Sequence, residues 1–172
     1  IYGFLIVFFA SYGQTFFISI FNSEIRSHYS LSDGEFGLIY AIATILSAVI
    51  LISFAKLIDY IDLRIYSLLI SLGMILSCLA MFFFIKHVSY LLLIIFSLRF
   101  FGQGAMGHAG ETTMARYFGN NRGKALSVST LGGMIGVMLL PMFIIYLMKY
   151  YTFNQIWLAA SISIIIFILI IF

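Results

Sequence analysis

Arg99 is the residue whose type and position most strongly suggest chemistry in this sequence. It lies inside a long apolar stretch, residues 88–114. A guanidinium keeps its proton under ordinary conditions, so at that depth it needs hydrogen-bond partners or water. Placing an arginine at the centre of a bilayer costs about 2.5–3.5 kcal/mol, and such residues usually mark a substrate or ion path. The alternative role is a structural clamp on the backbone of a neighbouring helix.

Other polar side chains lie at a comparable depth. In a regular α-helix Gln103 lies about 40° from Arg99, so the two residues share one face. Tyr12 and Gln14 fall near the centre of the apolar segment 1–21. Polar groups at that depth need a partner or a wet cavity, so we expect some of them to bond to neighbouring helices.

Charges also collect between the apolar segments. Residues 55–64 hold two carboxylates and two cations, with Asp59 where the second apolar segment ends and Arg64 where the third begins. Taken alone, this pattern predicts an ordinary solvated loop with anchoring charges.

Glu111 lies about 18 Å beyond Arg99 along the axis of a regular helix. We therefore expect it near the cytoplasmic boundary, in an ion pair with Arg116 or Arg122. His108 and Glu111 have an i, i+3 spacing that two metal ligands could use, but the sequence places no third ligand beside them. We predict no metal site and no cofactor.

The remaining constellations predict helix packing. Gly132 and Gly136 form a Gly-x-x-x-Gly pair, which lets another helix approach closely. Pro141 removes a backbone hydrogen bond and should bend its helix. Cys78 lies in an apolar run and is expected to pack as a small hydrophobe. Ser127 and Ser129 lack the surroundings of a serine nucleophile, so the sequence favours no enzyme.

The elements that must position these residues are membrane helices. The chain is 63% hydrophobic and 9% charged, with a mean hydropathy of +1.15. Ordinary soluble domains are about 45–50% apolar and about 25% charged. We therefore predict an integral, multi-pass membrane protein embedded in the lipid bilayer. The formal net charge of +3 is small and dispersed, which argues against a nucleic-acid partner.

A spanning helix needs about 20 mainly apolar residues. Six segments meet this requirement, at residues 1–21, 36–54, 65–85, 88–114, 125–148 and 155–172. Trp157 and several tyrosines near segment ends fit an interfacial aromatic belt.

The short connections between segments predict the orientation of the chain. The second and fourth connections hold five Lys or Arg residues, whereas the first, third and fifth hold three. Cytoplasmic loops carry the excess of cations, so both chain ends are expected on the cytoplasmic side. Both ends are hydrophobic, and we therefore expect the chain to be part of a longer protein.

Three stretches resemble the amino-terminal half of a major facilitator superfamily transporter. In residues 55–64, Leu57, Asp59 and Arg64 match the family's Gly-x-Leu-Ala-Asp-Arg-x-Gly-Arg-Arg signature, while other positions depart from it. Residues 99–105 are similar to the fourth-helix signature. Residues 116–126 resemble the link between the fourth and fifth helices and carry the resemblance best. The fifth-helix antiporter motif is incomplete, because Val137 follows Gly136 where that motif has proline.

The resemblance implies an all-α fold, with six helices in two inverted three-helix repeats forming half of a twelve-helix transporter. It also implies alternating access, with the site at the midplane between this bundle and a carboxy-terminal bundle. Candidate contacts to a small organic solute are then Arg99, Gln103, Tyr12 and Gln14. Arg99 would favour an anion such as a carboxylate.

The resemblance further implies a gating network of charges around Asp59, which would pair with Arg116 or with the end of the fifth helix. The other members of the predicted network are Arg64, Glu111 and Arg122. Coupling to a proton or sodium ion stays open, and the plasma or inner membrane is the expected location. A non-transporting receptor or assembly subunit with the same fold is the main alternative, followed by a six-helix intramembrane enzyme.

Overall fold

All secondary structure in residues 1–171, the part of the chain that this computed structural model describes, is helical. This confirms the predicted all-α fold. Five helical stretches are long and apolar enough to cross a membrane, namely Asp33–Asp59, Leu63–Phe83, Val88–Tyr117, Gly119–Leu147 and Phe153–Ile171. A shorter apolar helix, Tyr2–Gly13, precedes them.

The first predicted helix, residues 1–21, differs from the prediction because it is interrupted. Helix α1 (Tyr2–Ala10) tightens into a 3₁₀ turn (Ser11–Gly13), and the chain then becomes extended at Gln14, with φ −80° and ψ 153°. The apolar composition that predicted one continuous helix contains no information about this break. The break coincides with a close contact to another chain segment, which is described below.

Two short helices follow the break, α2 (Thr15–Ile20) and α3 (Asn22–Tyr29), so helical structure extends into the predicted first connection. The next helix, α4 (Asp33–Phe54), begins with a capping box. The Ser32 amide and hydroxyl donate to a carboxylate oxygen of Glu35 at 2.9 and 2.7 Å, and the Glu35 amide donates back to the hydroxyl at 3.3 Å. These bonds satisfy amide groups that a helix start leaves free.

The third apolar segment, or third crossing, also begins at a recognisable signal. Helix α5 (Leu63–Phe83) is capped by Asp62, whose carboxylate accepts the Arg64 amide at 2.8 Å. The fourth crossing is not one regular helix as predicted. It comprises α6 (Val88–Leu98), a π-helical segment (Arg99–Met106) and α7 (Gly107–Tyr117). Segments of π-helix are rare and often lie at functional sites.

Two long helices complete the bundle, α8 (Arg122–Leu147) and α9 (Phe153–Ile171). Pro141 lies inside α8, and the chain is helical on both sides of it. Gly132 and Gly136 of α8 are buried against α1. A Cβ atom on Gly132 would overlap the Phe4 carbonyl, and one on Gly136 would overlap the Ser11 side chain. The two glycines therefore allow α8 to approach α1 closely.

The helix pairings follow an internal symmetry. Helix α1 packs on α8, α4 packs on α6, and α5 packs on α9. Helices α1, α4 and α5 form the first three crossings, and α6, α8 and α9 belong to the last three. If α1 is exchanged for α6, α4 for α8 and α5 for α9, the α1–α8 pair becomes the α6–α4 pair and the α5–α9 pair is unchanged. This is the pattern expected from two three-helix repeats.

The best-packed aromatic cluster joins α2 to α9. Trp157 is fully buried, with its ring centroid 5.4 Å from that of Phe17 and 5.3 Å from that of Phe21. The prediction that Trp157 lies in an interfacial belt was therefore wrong. Residue type alone cannot separate a tryptophan anchored at the interface from one buried between helices.

Candidate functional site

Arg99 holds the broken first helix in place. Its Nη1 donates to the Gly13 carbonyl and to the Thr15 hydroxyl, both at 3.1 Å. Because the chain becomes extended at Gln14, the Gly13 carbonyl lies at a helix end, where carbonyls lack helical partners and carry partial negative charge. Arg99 is thus bonded across the break, as the clamp alternative predicted.

A tyrosine from α4 completes this cluster. The Tyr40 hydroxyl donates to the Thr15 hydroxyl oxygen at 2.9 Å, and the guanidinium carbon of Arg99 lies 5.5 Å from the Tyr40 ring centroid. Stacking of a cation over an aromatic ring is favourable at this distance. Three crossings therefore meet at one arginine, which is only 6% exposed.

The two irregular segments touch at a pair of glycines. A Cβ atom built on Gly102 would lie 2.7 Å from the Gly13 Cα and 2.8 Å from its nitrogen. A Cβ atom on Gly13 would overlap the Leu98 carbonyl. Neither position accepts a larger side chain without movement of the backbone. The backbone of the 3₁₀ turn before Gln14 is therefore in direct contact with the backbone of the π-helical segment.

A cavity of about 350 Å³ opens beside this crossing, between α1, α4 and the fourth crossing. We call it the arginine cavity. Its polar lining includes the four side chains Arg99, Gln103, Gln14 and Glu111, and its other lining residues include His108, Thr44 and Ser47. Three of the four predicted solute contacts therefore line one cavity.

Tyr12, the fourth predicted contact, lies on another side of α1. It is 7% exposed, its ring packs on Phe9 and Phe17, and its hydroxyl lies 3.0 Å from that of Ser163 in α9. Tyr12 therefore joins α1 to the interior of the bundle. It does not line the arginine cavity, and we do not carry it into the proposed site.

Glu111 lines the arginine cavity and forms no ion pair within residues 1–171. The predicted ion pair with Arg116 or Arg122 is therefore absent from this structure. Five residues separate Glu111 from Arg116, which places them about 140° apart around a regular helix. They consequently point toward different neighbours.

Arg116 instead pairs with Asp59 at the end of the bundle. Its Nη2 donates to the Asp59 carboxylate, and its Nη1 donates to the Ile58 carbonyl at 3.3 Å. This pair joins the α4–α5 connection to the end of α7. The side chains of Arg64 and Arg122 are exposed, and neither forms an ion pair in the part of the chain described.

Sequence analysis missed Tyr40 and did not place Thr15 beside Arg99, and both residues complete the arginine cluster. Tyr40 carries a hydroxyl group in an otherwise apolar helix, and such a hydroxyl usually has a hydrogen-bond partner. The sequence holds no indication that this partner lies on the first crossing.

Among residues 1–171, no three His, Cys, Asp or Glu side chains come together in a group that could hold a metal. His108 instead lies near Thr112, whose hydroxyl is 3.3 Å from the histidine Nδ1.

Comparison with known families settles the class of protein. A family model described as Major Facilitator Superfamily matches residues 3–172. The chain belongs to the Major Facilitator Superfamily. It is therefore an integral, multi-pass membrane protein of a transporter family, as its motifs suggested. No match to the chain was found among curated proteins or among solved structures.

Membership of the Major Facilitator Superfamily also gives a context for the weakest motif. Only three positions of residues 55–64 match the superfamily signature, yet one of them, Asp59, pairs with Arg116. The superfamily is one of transporters, which agrees with the prediction that the sequence favours no enzyme. Both serines considered as nucleophiles donate to backbone carbonyls. The Ser129 hydroxyl donates to the Gly3 carbonyl at 3.0 Å, and that of Ser127 donates to the Gly123 carbonyl at 3.0 Å.

Proposed function

We propose that this chain is the amino-terminal bundle of a transporter that moves a small organic solute by alternating access. The observation that carries the proposal is the arginine cavity, where Arg99, Gln103 and Gln14 border a break in the first crossing. Binding sites formed by interrupted helices at repeat interfaces are a recurring arrangement in transporters. A second, carboxy-terminal bundle would close the cavity from the opposite side.

The solute that suits this cavity best carries a carboxylate. Nη1 of Arg99 is used by Gly13 and Thr15, whereas its Nη2 forms no hydrogen bond within residues 1–171 and is not among the buried atoms that lack a partner. Because Arg99 lines the arginine cavity, a solute oxygen there can accept from this Nη2 donor. Hydrogen bonds between a guanidinium and a carboxylate are about twice as strong as neutral ones.

We further propose that Asp59 and Arg116 close one end of the cavity. Their ion pair joins the α4–α5 connection to α7, so it must weaken when these elements separate. The excess of Lys and Arg in this set of connections supports a cytoplasmic location for the pair. We further propose that the membrane is a plasma or inner membrane. We leave Arg64, Glu111 and Arg122 out of this proposed closure, because none of them forms an ion pair within residues 1–171.

Transport by the complete protein in proteoliposomes tests the proposal. A panel of radiolabelled carboxylates with two to six carbons would be screened, with imposed proton, sodium or no gradients to identify the driving ion. We expect Arg99→Ala to lower uptake of the accepted solute at least tenfold, because a charge-assisted hydrogen bond contributes about 1.5–3 kcal/mol. Arg99→Lys should also lower uptake, because lysine lacks the planar set of donors.

Lys149→Ala is the matched control, since Lys149 is an exposed cation outside the cavity. It should transport at the rate of the unchanged protein. If Arg99→Ala still assembles in the membrane and transports equally well, Arg99 does not bind the solute and the proposed solute site is wrong. Solute binding without transport would instead favour a receptor.

A further inference from the structure

A second cavity lies beside α1, on the side facing α8. Its volume is about 490 Å³, within the range of about 300–1,000 Å³ that is typical of small-molecule sites. We call it the α1–α8 groove. Its walls are mainly apolar and include Phe16, Met134, Val137 and Met138. This groove adjoins the arginine cavity, because Val7, Gln14 and Glu111 line both.

Glu111 is the one charged residue among those that line the α1–α8 groove. Arg99 and His108 line the arginine cavity but do not line this groove. Glu111 also has no ion-pair partner in the described part of the chain. The groove therefore has a negative charge that no lining cation offsets, and a ligand of positive charge complements it.

The neutral lining groups favour a cation as well. The Thr130 hydroxyl donates its proton to the Leu126 carbonyl at 3.0 Å, so its oxygen can only accept from a ligand. Phe16 offers an aromatic ring, which attracts cations through its face. Methionine side chains are flexible and polarisable, so Met134 and Met138 can adapt to apolar ligands of different shape.

A metal ion fits these surroundings poorly. Hard cations such as Ca²⁺ take about six to eight oxygen ligands, whereas the groove has one carboxylate and mostly apolar walls. The apolar area and the single charge instead match a ligand with a bulky apolar body and one positive charge.

We propose that the α1–α8 groove binds an amphipathic organic cation, with Glu111 as its counter-ion. This site lies beyond the proposed solute site at Arg99 and does not depend on it. Because Glu111 borders both cavities, a cation in the groove would also change the electrostatic potential beside the solute.

The test uses tetraphenylphosphonium as the probe and the complete protein in nanodiscs, with empty nanodiscs as background. We expect saturable binding that weakens at least tenfold in Glu111→Gln and is retained in Glu111→Asp. Gly133→Trp should also weaken binding, because it fills the groove without changing its charge. Glu35→Gln is the matched control, since Glu35 is exposed and lies outside the groove.

Tetraphenylborate has nearly the same shape with the opposite charge, and it should bind no better than to empty nanodiscs. Equal binding of the two probes, or equal binding by Glu111→Gln and the unchanged protein, would overturn the proposal. The same holds if no saturable binding occurs, because the groove would then be an apolar surface covered by lipid or by the second bundle. Carboxylate transport that depends on Arg99 can still occur in each of these cases.

Discussion

At the scale of single residues, Arg99 holds a position compatible with both roles that sequence analysis treated as alternatives. It is bonded to the end of the first helix, and one edge of its side chain also borders the arginine cavity. The two roles are compatible because a guanidinium has five donors in a fixed plane. A clamp built this way also fixes the direction in which the remaining donors point.

Loss of the Arg99 clamp should destabilise the bundle. Arg99→Ala leaves the Gly13 carbonyl without its donor, which we expect to cost about 1–3 kcal/mol. Tyr40→Phe removes the bond to Thr15 but keeps the ring, so its cost should be about 0.5–1.5 kcal/mol. Thermal unfolding in detergent measures both, with Lys149→Ala as reference. Equal unfolding temperatures in all variants would contradict the clamp.

At the scale of elements, the departure from regular helix is concentrated where the first and fourth crossings meet. These two crossings hold equivalent positions in the two three-helix repeats, and each is irregular at the point of contact. Glycine is the residue that permits such an approach, because any Cβ atom would occupy the space of the other backbone.

Glycine-to-alanine substitutions test this crossing. Gly13→Ala and Gly102→Ala each place a methyl group against backbone, so we expect each to lower stability by about 1–3 kcal/mol through overpacking. Gly37→Ala is the matched control, because a Cβ atom at this position meets nothing within 4 Å. Alanine should stabilise that exposed helical position by up to about 1 kcal/mol. Similar unfolding temperatures for all three variants would contradict the close crossing.

At the scale of the whole molecule, the proposed transport function depends on two features. The arginine cavity is the proposed solute site, and the Asp59–Arg116 pair joins two elements at one end of the bundle. Both side chains of this pair are about half exposed, so the pair should contribute at most about 1 kcal/mol to stability. A contribution of that size still changes a balanced conformational equilibrium several-fold.

Asp59→Asn should therefore shift the complete protein toward conformations open on the side of the ion pair. Ala48→Cys, placed in the wall of the arginine cavity, reports this opening by reaction with a membrane-impermeant maleimide. Native Cys78 is fully buried and should contribute little background, and cysteines elsewhere in the protein would be replaced. We expect labelling from that side to rise about two- to fivefold.

The charge-reversed pair Asp59→Arg with Arg116→Asp is the control for this experiment and should restore the original labelling rate. If Asp59→Asn leaves labelling unchanged on both sides of the membrane, the ion pair does not close the cavity.

Much of the architecture follows from the sequence, because burial in lipid imposes strict rules. Apolar segments of about 20 residues must be helical, since helices satisfy their own backbone groups. The capping residues Ser32, Glu35 and Asp62 mark helix starts, because their side chains bond to backbone amides within three residues. The motifs around Asp59, Arg99 and Arg116 indicated the Major Facilitator Superfamily, and the match to its family model confirmed this.

Only the tertiary structure decided how side chains from different crossings meet. The sequence alone determined that Arg99 is buried in a membrane and needs partners, because its charge cannot be removed. It could not show that Gly13, Thr15 and Tyr40 supply them, that Tyr12 points away, or that Glu111 borders two cavities. Those outcomes depend on where two helices break and cross, and each break is stabilised by contacts between residues far apart in the chain.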